Sequence, residues 1–202
     1  MATGKAGRAG AAESTAQDGR AERSRRSRER LIEALIELVE AGHLAPTGQE
    51  VADRAGMNLR TVFRHFEDME ALYAAIHERL APSLHDELYE PPPEGSLAER
   101  RGAFVRRRMR IYERIAPFQR SEALQRWNSP QLAGLHAEFV TRMRADLRAC
   151  LPEVASLEPP LRHAVEALTA FESWQRLREE QGLGPRQAAE AVRAALERLL
   201  PG

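Results

Sequence analysis

Apolar residues recur at helical spacing along most of the chain, and the runs are separated by Gly, Pro and capping residues. Leu31, Ile32, Leu35, Leu38 and Val39 form the first stripe, which predicts a helix from Ser24 or Ser27 to Ala41, ended by Gly42. Two brief helices follow, Thr47 to Ala55 and Leu59 to Phe66. Asp68 is placed to cap a fourth, with Leu72, Ile76, Leu80 and Leu84 inward and Pro82 as an expected kink or break. The Glu90–Gly95 stretch, rich in Pro, interrupts the pattern. Beyond it the spacing predicts helices from Leu97 to Ile115, from Pro117 to Trp127, from Ser129-Pro130 to Cys150, from Leu161 to Glu180 and from Arg186 to Leu200. Residues 1–20 show no periodicity and are expected to be disordered. The expected fold is all-α: a three-helix N-terminal domain over residues 21–67, and a larger helical domain over 68–202.

The two brief helices carry the most specific local signals. Thr47 and Glu50 are spaced as a capping box. Gly56 can adopt the positive φ that ends a helix, and Asn58 can cap the next one. Two short helices joined by a tight turn are the layout of a helix-turn-helix, whose second helix enters a DNA major groove. At about 100° per residue, Leu59, Val62, Phe63 and Phe66 share one arc and are expected to dock on neighbours. The other arc presents Asn58, Arg60, Thr61, Arg64 and His65 without an acid, a composition suited to phosphates and base edges.

Charge sharpens this picture. The 202-residue chain is 43% hydrophobic and 30% charged, with net charge zero, so any DNA-binding surface must be a local patch. Arg20 to Arg30 holds six Arg against Glu22 and Glu29. In a first helical turn such residues oppose the helix dipole, which points to an external anion; Arg25, Arg26 and Arg28 are the candidate phosphate contacts. A second run, Arg106, Arg107, Arg108 and Arg110, reads as a solvated helix face, unless one of these Arg faces a cavity. No run is long enough to span a membrane, and no signal peptide is visible, which implies a cytoplasmic protein.

Thr47-x3-Val51-Ala52-x2-Ala55-Gly56-Met57-Asn58-x2-Thr61-Val62-Phe63-Arg64-His65-Phe66, followed by Glu70-x-Leu72, resembles the DNA-binding domain of the TetR family of bacterial transcriptional regulators. The resemblance covers roughly residues 23–76. It implies a homodimer that binds a pseudo-palindromic operator in double-stranded DNA and is released by a small-molecule effector, acting most often as a repressor. Thr47 would belong to the DNA-contacting set through its helix end. The family usually has a Tyr at Phe63 and often a Lys at Met69, so two phosphate contacts common in the family are missing. The alternative is a helical interaction or scaffold protein with a remnant helix-turn-helix.

The resemblance also implies a dimer built from the last two long helices. Apolar residues of the Leu161–Glu180 segment spread over roughly 240°, which calls for partners on more than one side. Leu168, Phe171, Trp174, Val192, Ala195 and Leu199 are the candidate interface. Met109, Tyr112, Phe118, Trp127, Phe139 and Met143 are the candidate effector-pocket residues, with core filling as the alternative for each. No catalytic motif or cofactor fingerprint is present, and no enzymatic activity, cofactor or metal is expected. His85, His136 and His163 read as ordinary surface or pocket residues, and Cys150 as an unremarkable lone thiol.

Overall fold

The computed structural model describes the backbone of residues 6–88 and 90–201, all-helical apart from turns and connecting loops. The chain divides into two compact units, Met1–Ile76 and His77–Gly202. The first holds α1 (Ala6–Glu40), α2 (Gly48–Ala55), α3 (Leu59–His65) and the start of α4 (Met69–Leu88). The second holds the remainder of α4, then α5 (Leu97–Arg126), α6 (Pro130–Cys150), α7 (Pro159–Leu168), α8 (Phe171–Gln175) and α9 (Pro185–Leu199).

In the first unit α1 packs on α2 and α2 on α3. Leu31, Leu35 and Val39 of α1, Val51 and Ala52 of α2, Val62 of α3 and Leu72 of α4 are all buried, as their periodicity requires. The helix ends are satisfied locally. Thr47 and Glu50 form the reciprocal capping box, with the Thr47 amide donating to Glu50 Oε2 at 2.8 Å and the Glu50 amide to Thr47 Oγ1 at 3.3 Å. Gly56 takes φ 64°, ψ 40°, so the Met57 amide can reach the Ala52 carbonyl. Asn58 and Asp68 cap α3 and α4 by accepting from the amides of Thr61 and Ala71. A tie between helices was not foreseen: Arg30 of α1 donates to the Ala55 carbonyl at the C-terminal end of α2.

Four expected boundaries are corrected. Residues 1–5 lie outside the described residues, but α1 begins at Ala6 rather than near Ser24, so residues 6–20 are not the irregular tail expected. The segment contains no Pro and many Ala, and Ala is the best helix former, so it extends a helix already nucleated on the core. Pro82 does not break α4, and Pro117 does not start a new helix. In α5 the residues on both sides of Pro117, Ile111, Tyr112 and Ile115 before it and Gln119, Ser121 and Glu122 after it, are buried. That burial holds one continuous helix against the roughly 3 kcal/mol cost of an interior proline.

The fourth correction concerns the Leu161–Glu180 segment. Instead of one helix it forms α7, a break at Thr169–Ala170, then α8 and a π-helical turn over Arg176–Glu180. Ala170 is extended, at φ −76° and ψ 159°. The break redirects the chain, so Phe171 and Trp174 join the core with Ile111, Tyr112, Ile115, Met143 and Ala188. Val165 lies in an adjoining cluster with Phe104, Leu147, Val192 and Leu196. The wide apolar arc thus belongs to two helices with different neighbours in the core. Phe171, Trp174 and Val192, candidates for a dimer face, are buried within the protomer; Leu168, Ala195 and Leu199 are half-buried.

Candidate nucleic-acid interface and ligand cavity

The exposed surface of α3 carries Arg60 and Arg64, with Asn58 at its cap. Thr61 is half-buried, and its hydroxyl donates to Asn58 Oδ1 at 2.9 Å, so it stiffens the turn as well as facing outward. His65 is half-buried with its Nε2 atom buried and unpartnered. Burial, with the neighbouring Arg64 and Arg28 charges, pushes its pKa below the usual histidine range. Thr47 is exposed at the start of α2, with its hydroxyl engaged in the capping box.

The docking arc of α3 is narrower than its periodicity suggests. Val62 and Phe66 are buried, but Leu59 is 36% and Phe63 48% exposed. The reason lies across the turn. Leu59 and Phe63 lean on Gly48, where a Cβ would fall 3.1 Å from Leu59 Cδ1 and 3.3 Å from Phe63 Cζ. Glycine offers a surface for their inner edges but no side chain to cover their outer ones.

The Arg-rich part of α1 also differs from expectation. Because α1 starts at Ala6, Arg25 and Arg26 are not in a first turn, and the dipole argument for an external anion falls away. Both remain exposed. Arg25 pairs with Glu22 and Glu29 and Arg26 with Glu22, at helical i,i+3 and i,i+4 spacings. Arg28 stacks its guanidinium over the Phe66 ring, 5.0 Å from the centroid.

In the second unit a cavity of about 260 Å³ opens among α5, α6, α7 and α8. Tyr112, Phe139, Met143, Leu147 and Phe171 supply its apolar lining; Arg108, Arg144, His163, Glu166 and Glu172 supply the polar one. Three residues singled out from the sequence, Tyr112, Phe139 and Met143, meet here. Met109 lines a neighbouring void of about 10 Å³ with Leu168, Trp174 and Val192. Phe118 borders neither, and Trp127 is 88% exposed beyond the end of α5. Arg108 lines the cavity, the alternative left open for the Arg106–Arg110 run; Leu147 and Phe171 join it, Phe171 because the α7–α8 break turns its segment toward α5 and α6.

Beside this cavity lies a buried ionic cluster. Arg107 and Arg108 are buried, not part of a solvated face. Both pair with Asp146 of α6, Arg107 through Oδ1 and Arg108 through Oδ2 at 3.0 Å. Arg108 also donates to the Met143 carbonyl at 2.7 Å and to the Tyr112 hydroxyl at 3.0 Å. Arg106 and Arg110 of the same run stay exposed. Cys150 is buried next to Arg107 and Asp146, and burial pushes its thiol up to about 12. His136 and Glu122 each keep a buried polar atom without a partner, and Glu122 pairs with His77 at 2.7 Å. His163 is exposed on the cavity wall, and the side chain of His85 lies outside the described residues. Among the described residues no three metal-ligating side chains converge, and no helix is long and apolar enough to cross a membrane.

The capped α2–turn–α3 arrangement and its basic outer surface define a helix-turn-helix domain. Residues 31–76 match the sequence model of the bacterial regulatory proteins of the tetR family. The chain is TetR-like in sequence over that segment, and over most of its length its fold is similar to those of two solved structures. It is similar to the crystal structure of a transcriptional regulator from Rhodococcus sp. Rha1, with TM-score 0.66 and 20% identity over 86% of this chain and 95% of that one. It is also similar to the multidrug binding protein EbrR complexed with imidazole, with TM-score 0.63 and 21% identity over 87% of this chain and 95% of that one. Among curated proteins none matches.

Proposed function

We propose that this chain is a TetR-like transcriptional regulator that binds double-stranded DNA through α3 and is released from a pseudo-palindromic operator by a small-molecule effector, acting as a repressor in the cytoplasm. The observation that carries the reading is the surface of α3: Arg60 and Arg64 are exposed on a seven-residue helix that contains no acid and is held by caps at both joints. Arg can bind guanine O6 and N7 in bidentate fashion, and the exposed Arg25 and Arg26 are suited to phosphate contact without reading sequence.

The effector would occupy the cavity bounded by Tyr112, Phe139, Met143 and Phe171, whose apolar walls and charged rim suit a small organic molecule that carries polar groups. The likeness in fold to a protein described as multidrug binding supports this assignment. A ligand shifts the DNA-bound population only if it binds two conformations with different affinity. A homodimer would set two copies of α3 in successive major grooves, about 34 to 36 Å apart. The half-buried Leu168, Ala195 and Leu199 remain available for its interface.

Selection of genomic fragments with the purified chain tests the reading. A recovered palindromic site whose binding is lost in the Arg60→Ala, Arg64→Ala double variant is expected. Failure to retain any fragment at low salt would overturn it in favour of a protein-interaction role.

A further inference from the structure

Leu59 and Phe63 stand one turn apart on α3 with their outer edges open to solvent, and Arg60 and Arg64 flank them in the same surface depression. We propose that this apolar pair reads thymine methyl groups in the major groove, making Leu59 and Phe63 specificity-determining residues of the DNA-binding surface. The inference rests on the reading of the chain as a DNA-binding protein.

Two exposed apolar side chains lower their free energy by meeting apolar area. Phosphates and sugars offer little of it. In the major groove the C5-methyl of thymine is the apolar group displayed at a base edge, and Phe and other apolar side chains contact it. Phe63 has no hydroxyl with which to hydrogen-bond a phosphate, so its contribution to binding has to come from apolar contact. The flanking arginines bring the matching charge, since they attract the polyanion to the surface that carries the apolar pair. Gly48 leaves room for the inner edges of both side chains: a Cβ there would fall 3.1 Å from Leu59 Cδ1 and 3.3 Å from Phe63 Cζ, so a larger residue would displace the pair. Their outer edges are the apolar area left for a methyl group to meet.

The experiment compares the selected site with versions in which each half-site thymine is replaced in turn by deoxyuridine. This removes the methyl group and leaves pairing and charge unchanged. At one or two positions per half-site the wild-type chain should bind the uridine version about three- to tenfold more weakly, the scale of one buried methyl group. The Leu59→Ala and Phe63→Ala variants should bind the thymidine and uridine versions equally, and 5-methylcytosine opposite guanine at the same step should restore part of the wild-type preference. Binding that is selective yet indifferent to every thymine methyl would overturn the inference while leaving the DNA-binding reading intact. So would a selected site without half-site thymines, or a methyl preference that survives in both variants. Absence of any selected site would overturn the DNA-binding reading itself. Because the wild-type comparison uses no variant, a Phe63→Ala chain that fails to fold does not remove the test; Phe63→Leu then serves in its place, with a weakened methyl preference expected and an unchanged one counting against the role of the ring.

Discussion

The Tyr112 hydroxyl donates to the Thr169 carbonyl at 2.8 Å, across the point where α7 stops and α8 begins. The broken helix leaves that carbonyl without its helical partner, and α5 supplies the replacement. The same hydroxyl accepts from Arg108, which ties the break to the buried Arg107–Arg108–Asp146 cluster, and the Tyr112 ring meets Phe171 edge-on at 5.4 Å. One side chain thus satisfies the break and forms part of the cavity wall.

Tyr112→Phe keeps the ring and removes the bond. A buried carbonyl left unpaired costs about 1 to 3 kcal/mol, so the unfolding free energy from urea denaturation should fall by about that amount, with a lower midpoint. Affinity for the operator without effector should be unchanged. A midpoint equal to wild type would mean that the hydroxyl does not hold the break.

Asp146 is the acid that faces both buried arginines. Its replacement by Ala should cost about 3 to 5 kcal/mol, because two buried charges lose their partner. Exchanging all three residues for Met at 107 and 108 and Leu at 146 should be far less damaging than the single change. Chemical denaturation of the two variants side by side measures the difference.

Cys150, with its thiol pushed up to about 12, remains protonated near neutral pH. Iodoacetamide should label it slowly in the folded chain and at the rate of a free thiol in urea. Fast labelling of the native protein would be inconsistent with its burial.

His65 has its pKa lowered by burial and by the Arg64 and Arg28 charges. The folded state therefore favours neutral imidazole. Its contribution to stability is complete above the unfolded value of 6.5 and is lost as the pH falls through that value toward the lower folded one. Wild type should lose more stability than His65→Gln when both are acidified from about pH 7 to about pH 5. Parallel loss in the two chains would show that His65 does not titrate differently on folding.

Arg60→Ala should cost about 1 to 3 kcal/mol on the selected operator and relax preference at one base position. Arg26→Ala should weaken binding to all sequences alike and reduce the salt slope by about one. Gel shifts over a salt series separate the two, and a sequence-selective loss in Arg26→Ala would contradict its assignment to the phosphate backbone.

What the sequence determined by itself is local. The Thr47–Glu50 box, the positive φ at Gly56 and the Asn58 and Asp68 caps each involve residues at most four positions apart, so their geometry follows from order along the chain. The same holds for the apolar stripes of α1 and α9. The helix-turn-helix, and with it the basic surface of α3, could be read for this reason. The tertiary structure decided what depends on a distant partner. Arg107 and Arg108 read as a solvated run until Asp146, 38 and 39 residues away, neutralises part of their charge in the core. Helix α5 continues through Pro117 because both flanks are buried. Thr169 ends a helix where its carbonyl can meet Tyr112, 57 residues earlier, and that break moves Phe171 and Trp174 from a supposed dimer face into the core. Phe63 has the periodicity of a packed residue, but the wall it leans on is a glycine. Periodicity records which side of a helix is apolar; how much of that side is covered depends on the size and charge of what the fold brings opposite.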